Sequence, residues 1–401
     1  MLHRNKYIIV FVILFILNLF IHIFANAGPW DTEDYELGPW NTNPFKYSTY
    51  KYGSWDTESA EWYNSNWPYR LAVVIDHTKV AGDLTDFPIY VDLADLGTHF
   101  HSNVQADGDD IRVTKADGTT EVPYELVSLD TGAETGELHF KASGTLSSLV
   151  DTVFYIYYGY ASATGYAITD TYGAENVWNS NYVMVQHMED ATTSTILDST
   201  SNDNDGTKFA TNEPVETSSG KIGSGQTFDG SNDLIDFGSN PLTGTAAFTL
   251  SAWCKTNVFD FDFGGSVFIG GPGSGTGAYI GVAYTVSGGG GTPETWGGGF
   301  YQGNYGSGNS DTDFVLLQFT FSGGVAGTAK IYANSSNTNT WSATPNIVST
   351  YFRAGNVSPS YYLNGQVDEI RVLNTDLSQD WISTEFNNQS SPSTFYTVQG
   401  N

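Results

Sequence analysis

A disulfide framework is excluded at the outset, because the 401-residue chain has one cysteine, Cys254. Positive charge is also scarce. Fifteen Lys and Arg stand against 44 Asp and Glu, for a formal net charge of −29. Nucleic acid and anionic lipid surfaces are poor partners for such a chain. The acids form no long run, so most of them suit a solvated strand face. Long helical periodicities are missing beyond the first 27 residues. What the chain does have is 15% aromatic residues and 44 glycines, with Ser, Thr and Asn throughout. This is the composition of an all-β protein with many turns.

The long apolar run lies at the start. Met1–Lys6 is basic, Tyr7–Ala25 carries no formal charge apart from His22, and Ala25-Asn-Ala27 follows. That order predicts a signal peptide over residues 1–27 and an extracellular or cell-surface location. The same run is long enough to span a bilayer, so membrane attachment through an uncleaved leader stays open.

About 374 residues remain, which suits two domains. Residues 28–61 repeat a tryptophan-bearing turn three times, at Gly28-Pro-Trp-Asp-Thr32, Gly38-Pro-Trp-Asn-Thr42 and Gly53-Ser-Trp-Asp-Thr57. Their irregular spacing predicts an extended Trp-rich arm rather than a solenoid. From residue 62 short strands follow one another: Trp67–Asp76, Phe87–Leu93, Asp110–Thr114, Glu137–Lys141 and Thr152–Tyr158. Turns rich in Gly and Asp split them, Asp117-Gly118 most clearly, which predicts a β-sandwich over residues 62–175. Phe248–Lys255 alternates like a core strand, so Cys254 is expected to be a buried, inert thiol.

Near the C-terminus, Asn364-Gly365 reads as a turn feeding a strand. Strict alternation puts Asp368 on one face with Ile370 and Val372, and Glu369 with Val367 and Arg371 on the other. Asp368 is then either at the strand's edge or buried with a partner, a cation such as calcium or backbone amides.

The motifs Trp67-Pro-Tyr-Arg70, Ile75–Pro88, Asp107-Gly-Asp-Asp-Ile-Arg-Val113 and Tyr157-Tyr-Gly159 occur in order. Together they resemble an uncharacterised WxYR-type β-domain of prokaryotic cell-surface proteins. Residues 176–401 resemble the laminin-G-like, concanavalin-A-like jelly roll that commonly follows it. Trp178–Glu189, Leu197–Gly206, Gln226–Asp236, Phe248–Trp253 and Asp380–Asn387 carry that likeness, the last as one short C-terminal helix. The resemblance implies an all-β architecture with a sandwich followed by a jelly roll.

Asp198-Ser-Thr-Ser-Asn-Asp-Asn-Asp-Gly206 concentrates oxygen donors of the kind calcium prefers. By the resemblance, Asp198, Asn202, Asn204 and Asp368 would be its ligands. The competing reading is an Asx-turn loop capped by its own side chains. His187 and Glu189 share a strand face, so the pair could bind metal or do acid–base work, but the favoured reading is a structural histidine hydrogen-bonded near the sheet's end. His77, His99, His101 and His139 are scattered, and the His99/His101 pair has no Cys or third His nearby to complete a transition-metal site.

No Glu-x-Asp-x-x-Glu run of a jelly-roll glucanase occurs, and G-x-S-x-G matches fall in glycine tracts, so no catalytic residue is expected. Trp296, Tyr301 and Tyr305, in a glycine-rich stretch, are candidate ligand-binding rings. The expected role is non-catalytic recognition or adhesion through glycan or surface-protein contacts, with calcium stiffening the jelly roll. The alternative is a structural subunit that self-assembles into a filament or surface layer through its N-terminal arm.

Overall fold

In the computed structural model, the described residues are 61–400, except 210–212, 257–268, 271–278, 281–282, 287–290, 295–312, 344–346, 348–351 and 359–360. The expected arm therefore lies outside the described residues, apart from Glu61, and so do Trp296, Tyr301 and Tyr305. The fold is mostly β, as the composition predicts, and beside the expected C-terminal helix at Gln379–Ser390 the described residues form short helices at Gly97–Asn103 and Pro392–Phe395.

The first lobe is a sandwich of two antiparallel sheets. Its strands are β1 (Tyr69–Ile75), β2 (Leu84–Asp92), β3 (Arg112–Lys115), β4 (Tyr124–Asp130), β5 (Thr135–Leu146) and β6 (Thr152–Tyr158). One sheet runs β2-β5-β4, and the other contains β1-β6-β3. Leu71, Val73 and Ile75 alternate into the core to meet Ile89, Val91, Leu138 and Phe140 from the facing sheet. Pro88 is tolerated in β2 because that strand lies at a sheet edge.

The resemblance motifs converge structurally. The Trp67 indole donates to the Asp110 carbonyl at 2.5 Å. The Asp110 carboxylate accepts from the Gln105 and Gly159 amides. Arg70 donates to the Tyr157 hydroxyl and lies over the Trp62 and Tyr155 rings. These residues thus tie the first and last strands of the lobe together.

The second lobe stacks an eight-stranded sheet on a six-stranded sheet of very short strands. In the larger sheet, the Asn364–Leu373 strand pairs with the Phe248–Thr256 strand on one side. On its other side it pairs with β7 (Tyr182–Gln186) and Gly225–Asp229. Phe248, Leu250, Phe319, Ile331, Val367, Ile370 and Val372 fill the space between the sheets. Cys254 is buried there as a free thiol.

The chain then returns. After the Gln379–Ser390 helix and the short Pro392–Phe395 helix, the Tyr396–Gly400 strand pairs antiparallel with β1 and completes the first lobe's sheet. The C-terminal end of the expected jelly-roll segment 176–401 is thus built into the preceding sandwich. Tyr396 is buried, accepts a hydrogen bond from the Asp92 amide and donates one to Asp95. Among the described residues, no helix is long and apolar enough to cross a membrane. Replacing Tyr396 with Ala is expected to cost about 3–5 kcal/mol in urea unfolding. A loss below ~1 kcal/mol would show that the returning strand is not part of the lobe's core.

Candidate functional site

The Asn364–Leu373 strand departs from the alternation expected of it. Glu369 has a φ of 52°, and the pairing register with the Phe248–Thr256 strand shifts between Ser251 and Trp253. A bulge of this kind re-aims the side chains on either side of it. Val367, Ile370 and Val372 all enter the jelly-roll core, whereas Glu369 and Arg371 join a polar cluster outside it. The expected sharing of one face by Asp368, Ile370 and Val372 is therefore corrected by one extra residue.

The C-terminal helix sits between the lobes. On one side, Asn388 accepts from the Tyr90 amide and donates to the Tyr90 carbonyl, so it caps the free edge of β2. Thr384 accepts from the Ala81 amide, and Asn387 donates to the Lys79 carbonyl. On the other side, Glu385 accepts from Arg371 at 2.8 Å and from Gln318 at 2.6 Å, while Gln389 accepts from the Trp253 indole at 2.6 Å.

A buried charged network runs from this helix to the first lobe. Arg371 grips Glu369 through Nε and Nη2. The Glu369 Oε1 atom lies 2.5 Å from His187 Nδ1. His187 Nδ1 is also 3.2 Å from Glu137 Oε1, and its Nε2 is 3.4 Å from Glu125 Oε2. Glu125 accepts from the Trp178 indole at 2.7 Å, and Glu137 meets His139 Nε2 at 2.6 Å. Glu125, Glu137 and His139 come from β4 and β5, whereas Glu369 and Arg371 come from the second lobe's sheet.

Charge is distributed unevenly within it. Burial pushes the Glu137 carboxyl well up, and the Glu369 charge adds to that. Burial alone would lower His187, but Glu369, Glu125 and Glu137 outweigh it and hold the imidazole well above its ordinary range. Burial would raise Glu369, yet His187 and Arg371 outweigh it and hold it well below the carboxylate range.

Next to the network a cleft of about 540 Å³ opens between the lobes. The first lobe contributes Tyr90, Asp92, Ser128 and Asp130, and the second contributes Glu189, Ser218, Lys221, Gly223 and Ser224. Glu189 Oε1 accepts from the Ser224 amide at 3.0 Å and from the Ser128 hydroxyl at 3.3 Å, which bridges the two walls. Gly223 has a φ of +54°, and a Cβ there would lie 1.8 Å from Glu189 Oε1 and 3.1 Å from Glu137 Oε2. The position therefore needs glycine for space and for backbone conformation.

The sequence-expected calcium ligands fold differently. Asp198 Oδ1 accepts from the Val185 and Thr200 amides, and Oδ2 accepts from the Asn204 amide and the Thr200 hydroxyl. Asn202 and Asn204 turn their Nδ2 donors to the Tyr182 and Val183 carbonyls. Asp368 is held elsewhere, by the Lys221 and Ile222 amides. Calcium takes six to eight oxygens. A loop whose carboxylate is already filled by N–H and O–H donors does not fit that shell, and Asp368 is satisfied by backbone amides of a different loop.

The other histidine expectations find partners. His99 meets the Tyr158 hydroxyl and His101 meets the Leu93 carbonyl. His187 is hydrogen-bonded at the end of its strand, as a structural histidine would be, and its partners include carboxylates from the first lobe. Sequence reasoning missed Glu125, Glu137, His139, Glu369, Arg371 and Glu385 as a group. One signal was present: Glu137-Leu-His139 and Glu369-Ile-Arg371 place charged pairs two apart within apolar strands.

Residues 229–383 match the family model described as the concanavalin A-like lectin/glucanases superfamily. No curated protein matches the chain. Among solved structures, domain 4 of an extracellular GH43 arabinanase from Geobacillus stearothermophilus, in complex with arabinotriose, is 16% identical with a TM-score of 0.41. That match covers 52% of this chain and 98% of that one. The binding domain of Paraclostridial Mosquitocidal Protein 1 is 15% identical with a TM-score of 0.40, over 51% of this chain and 52% of that one. Trypanosoma rangeli sialidase is 13% identical with a TM-score of 0.40, over 66% of this chain and 44% of that one. The chain thus spans about half the length of the mosquitocidal binding domain and less than half of the sialidase.

Two substitutions test the site's construction. Arg371→Met leaves buried Glu385 without a cation and Glu369 with only His187, and is expected to cost about 3–5 kcal/mol in denaturant unfolding. Gly223→Ala forces Glu189 to move and is expected to cost about 1–3 kcal/mol. Wild-type stability in either variant would contradict the geometry described above.

Proposed function

We propose that this chain is a non-catalytic glycan-binding protein of the cell exterior and that the interlobe cleft is its binding site. The cleft itself carries the reading. It is about 540 Å³ in volume, and its lining includes three acidic residues and three serines. Sugars are recognised by such convergent donors and acceptors, because each hydroxyl both gives and takes a hydrogen bond. The family match over residues 229–383 supports a carbohydrate ligand, and the basic, apolar and small-residue order of residues 1–27 supports export.

A binding role is favoured over cleavage by how the carboxylates are held. Asp92 Oδ1 accepts from the Ala94 amide, Asp130 Oδ1 from the Gly132 and Ala133 amides, and Glu189 Oε1 from the Ser224 amide. Each has an oxygen committed to local structure. Glycoside cleavage needs one carboxyl to donate a proton and a second to act across the sugar bond.

Calorimetric titration with neutral and acidic oligosaccharides tests the proposal. Asp130→Ala is expected to weaken binding ~5-fold, about 1 kcal/mol. Ser218→Trp, which fills the cleft, is expected to abolish it. Wild-type affinity in both variants would move the site elsewhere, and release of new reducing ends from the sugar would overturn the non-catalytic reading.

A further inference from the structure

We propose that Glu137, His139, His187 and Glu369 hold a divalent transition-metal ion of zinc type at the junction of the lobes. One donor atom from each residue falls within 4.8 Å of the other three, and all four residues are buried. The closest separations are 2.6 Å between His139 Nε2 and Glu137 Oε1, 3.2 Å between His187 Nδ1 and Glu137 Oε1, and 2.5 Å between His187 Nδ1 and Glu369 Oε1. Bonds of about 2.0–2.1 Å in a tetrahedron put ligand atoms about 3.3 Å apart. Small shifts from the observed positions therefore make the shell. Two imidazole nitrogens with two carboxylate oxygens suit zinc, whereas calcium and magnesium ask for oxygen alone.

The surroundings are those of a metal centre. The second nitrogen of His187 faces Glu125, which the Trp178 indole holds. The second oxygen of Glu369 is gripped by Arg371. Such outer partners fix ligand orientation. An independent pointer is the absence of a hydrogen-bond partner for Glu137 Oε2, which is buried. A fully buried carboxylate oxygen without a donor is costly unless a cation meets the group. Glu125, Glu137 and Glu369 crowd around His187, while Arg371 is already shared with Glu385. An ion would bring two further positive charges and displace protons from the cluster. Each lobe supplies two of the four ligands, so the ion would staple the sheets together.

The test uses the full chain, stripped with chelator and titrated with zinc chloride. Binding of about one zinc per chain is expected, with a rise in melting temperature at saturation. His139→Gln and His187→Gln, one from each lobe, are expected to weaken zinc binding ~100-fold or more, and Glu125→Gln ~10-fold. Asp151→Asn, in the partly exposed Asp76, His77 and Asp151 group, is expected to change nothing. If a histidine variant fails to fold, the cobalt-loaded wild type decides. Strong visible absorption of a tetrahedral site upholds the proposal, and the faint spectrum of an octahedral ion overturns it. Absence of zinc binding, or wild-type affinity in folded His139 and His187 variants, also overturns it.

Discussion

Arg371 is the residue on which the arrangement of this molecule depends. It lies fully buried between Glu369 on its own strand and Glu385 on the C-terminal helix. Charges removed from water are tolerated only where geometry is tight and the remaining polar atoms find partners. That requirement fixes the height and rotation of the helix above the second lobe's sheet. It also fixes Glu369, whose other oxygen meets His187, and through His187 the acids of the first lobe. The guanidinium additionally lies 5.1 Å from the centre of the Trp178 ring, which closes the cluster from the side.

The helix transmits this constraint. Its Asn388, Thr384 and Asn387 side chains hydrogen-bond backbone groups of the first lobe, and its Glu385 and Gln389 bond to side chains of the second. Trp381 packs against hydrophobic residues of both. The chain then places Tyr396–Gly400 beside β1. The lobes are therefore joined at one end by a returning strand and in the middle by buried charge. The cleft is the gap left beside those attachments, and the Glu189 bridge between Ser128 and Ser224 sets its width.

Much of the scaffold was legible in the sequence. Local alternation marks β1, β6 and the Phe248–Thr256 strand because one side of each meets a core, and the buried thiol of Cys254 follows from the same pattern. The Asp198 loop was legible as a cluster of oxygen donors and was expected to hold calcium, with an Asx-type loop as the competing reading, and its hydrogen bonds are those of the competing reading. That backbone amides hold a buried Asp368 was one of the readings the sequence offered, but which neighbours share its face was not legible, because a single residue in a left-handed conformation, Glu369, changes them. The charged network was hidden for a different reason. Its members are up to 260 residues apart, Glu125 to Glu385, and strand periodicity carries no information about which sheets meet.

Scanning calorimetry of the whole chain is the most direct test of whether buried charge and the helix make the lobes one body. The account predicts a single transition whose calorimetric and van't Hoff enthalpies agree. Two resolved transitions, each insensitive to replacement of Arg371, would contradict it.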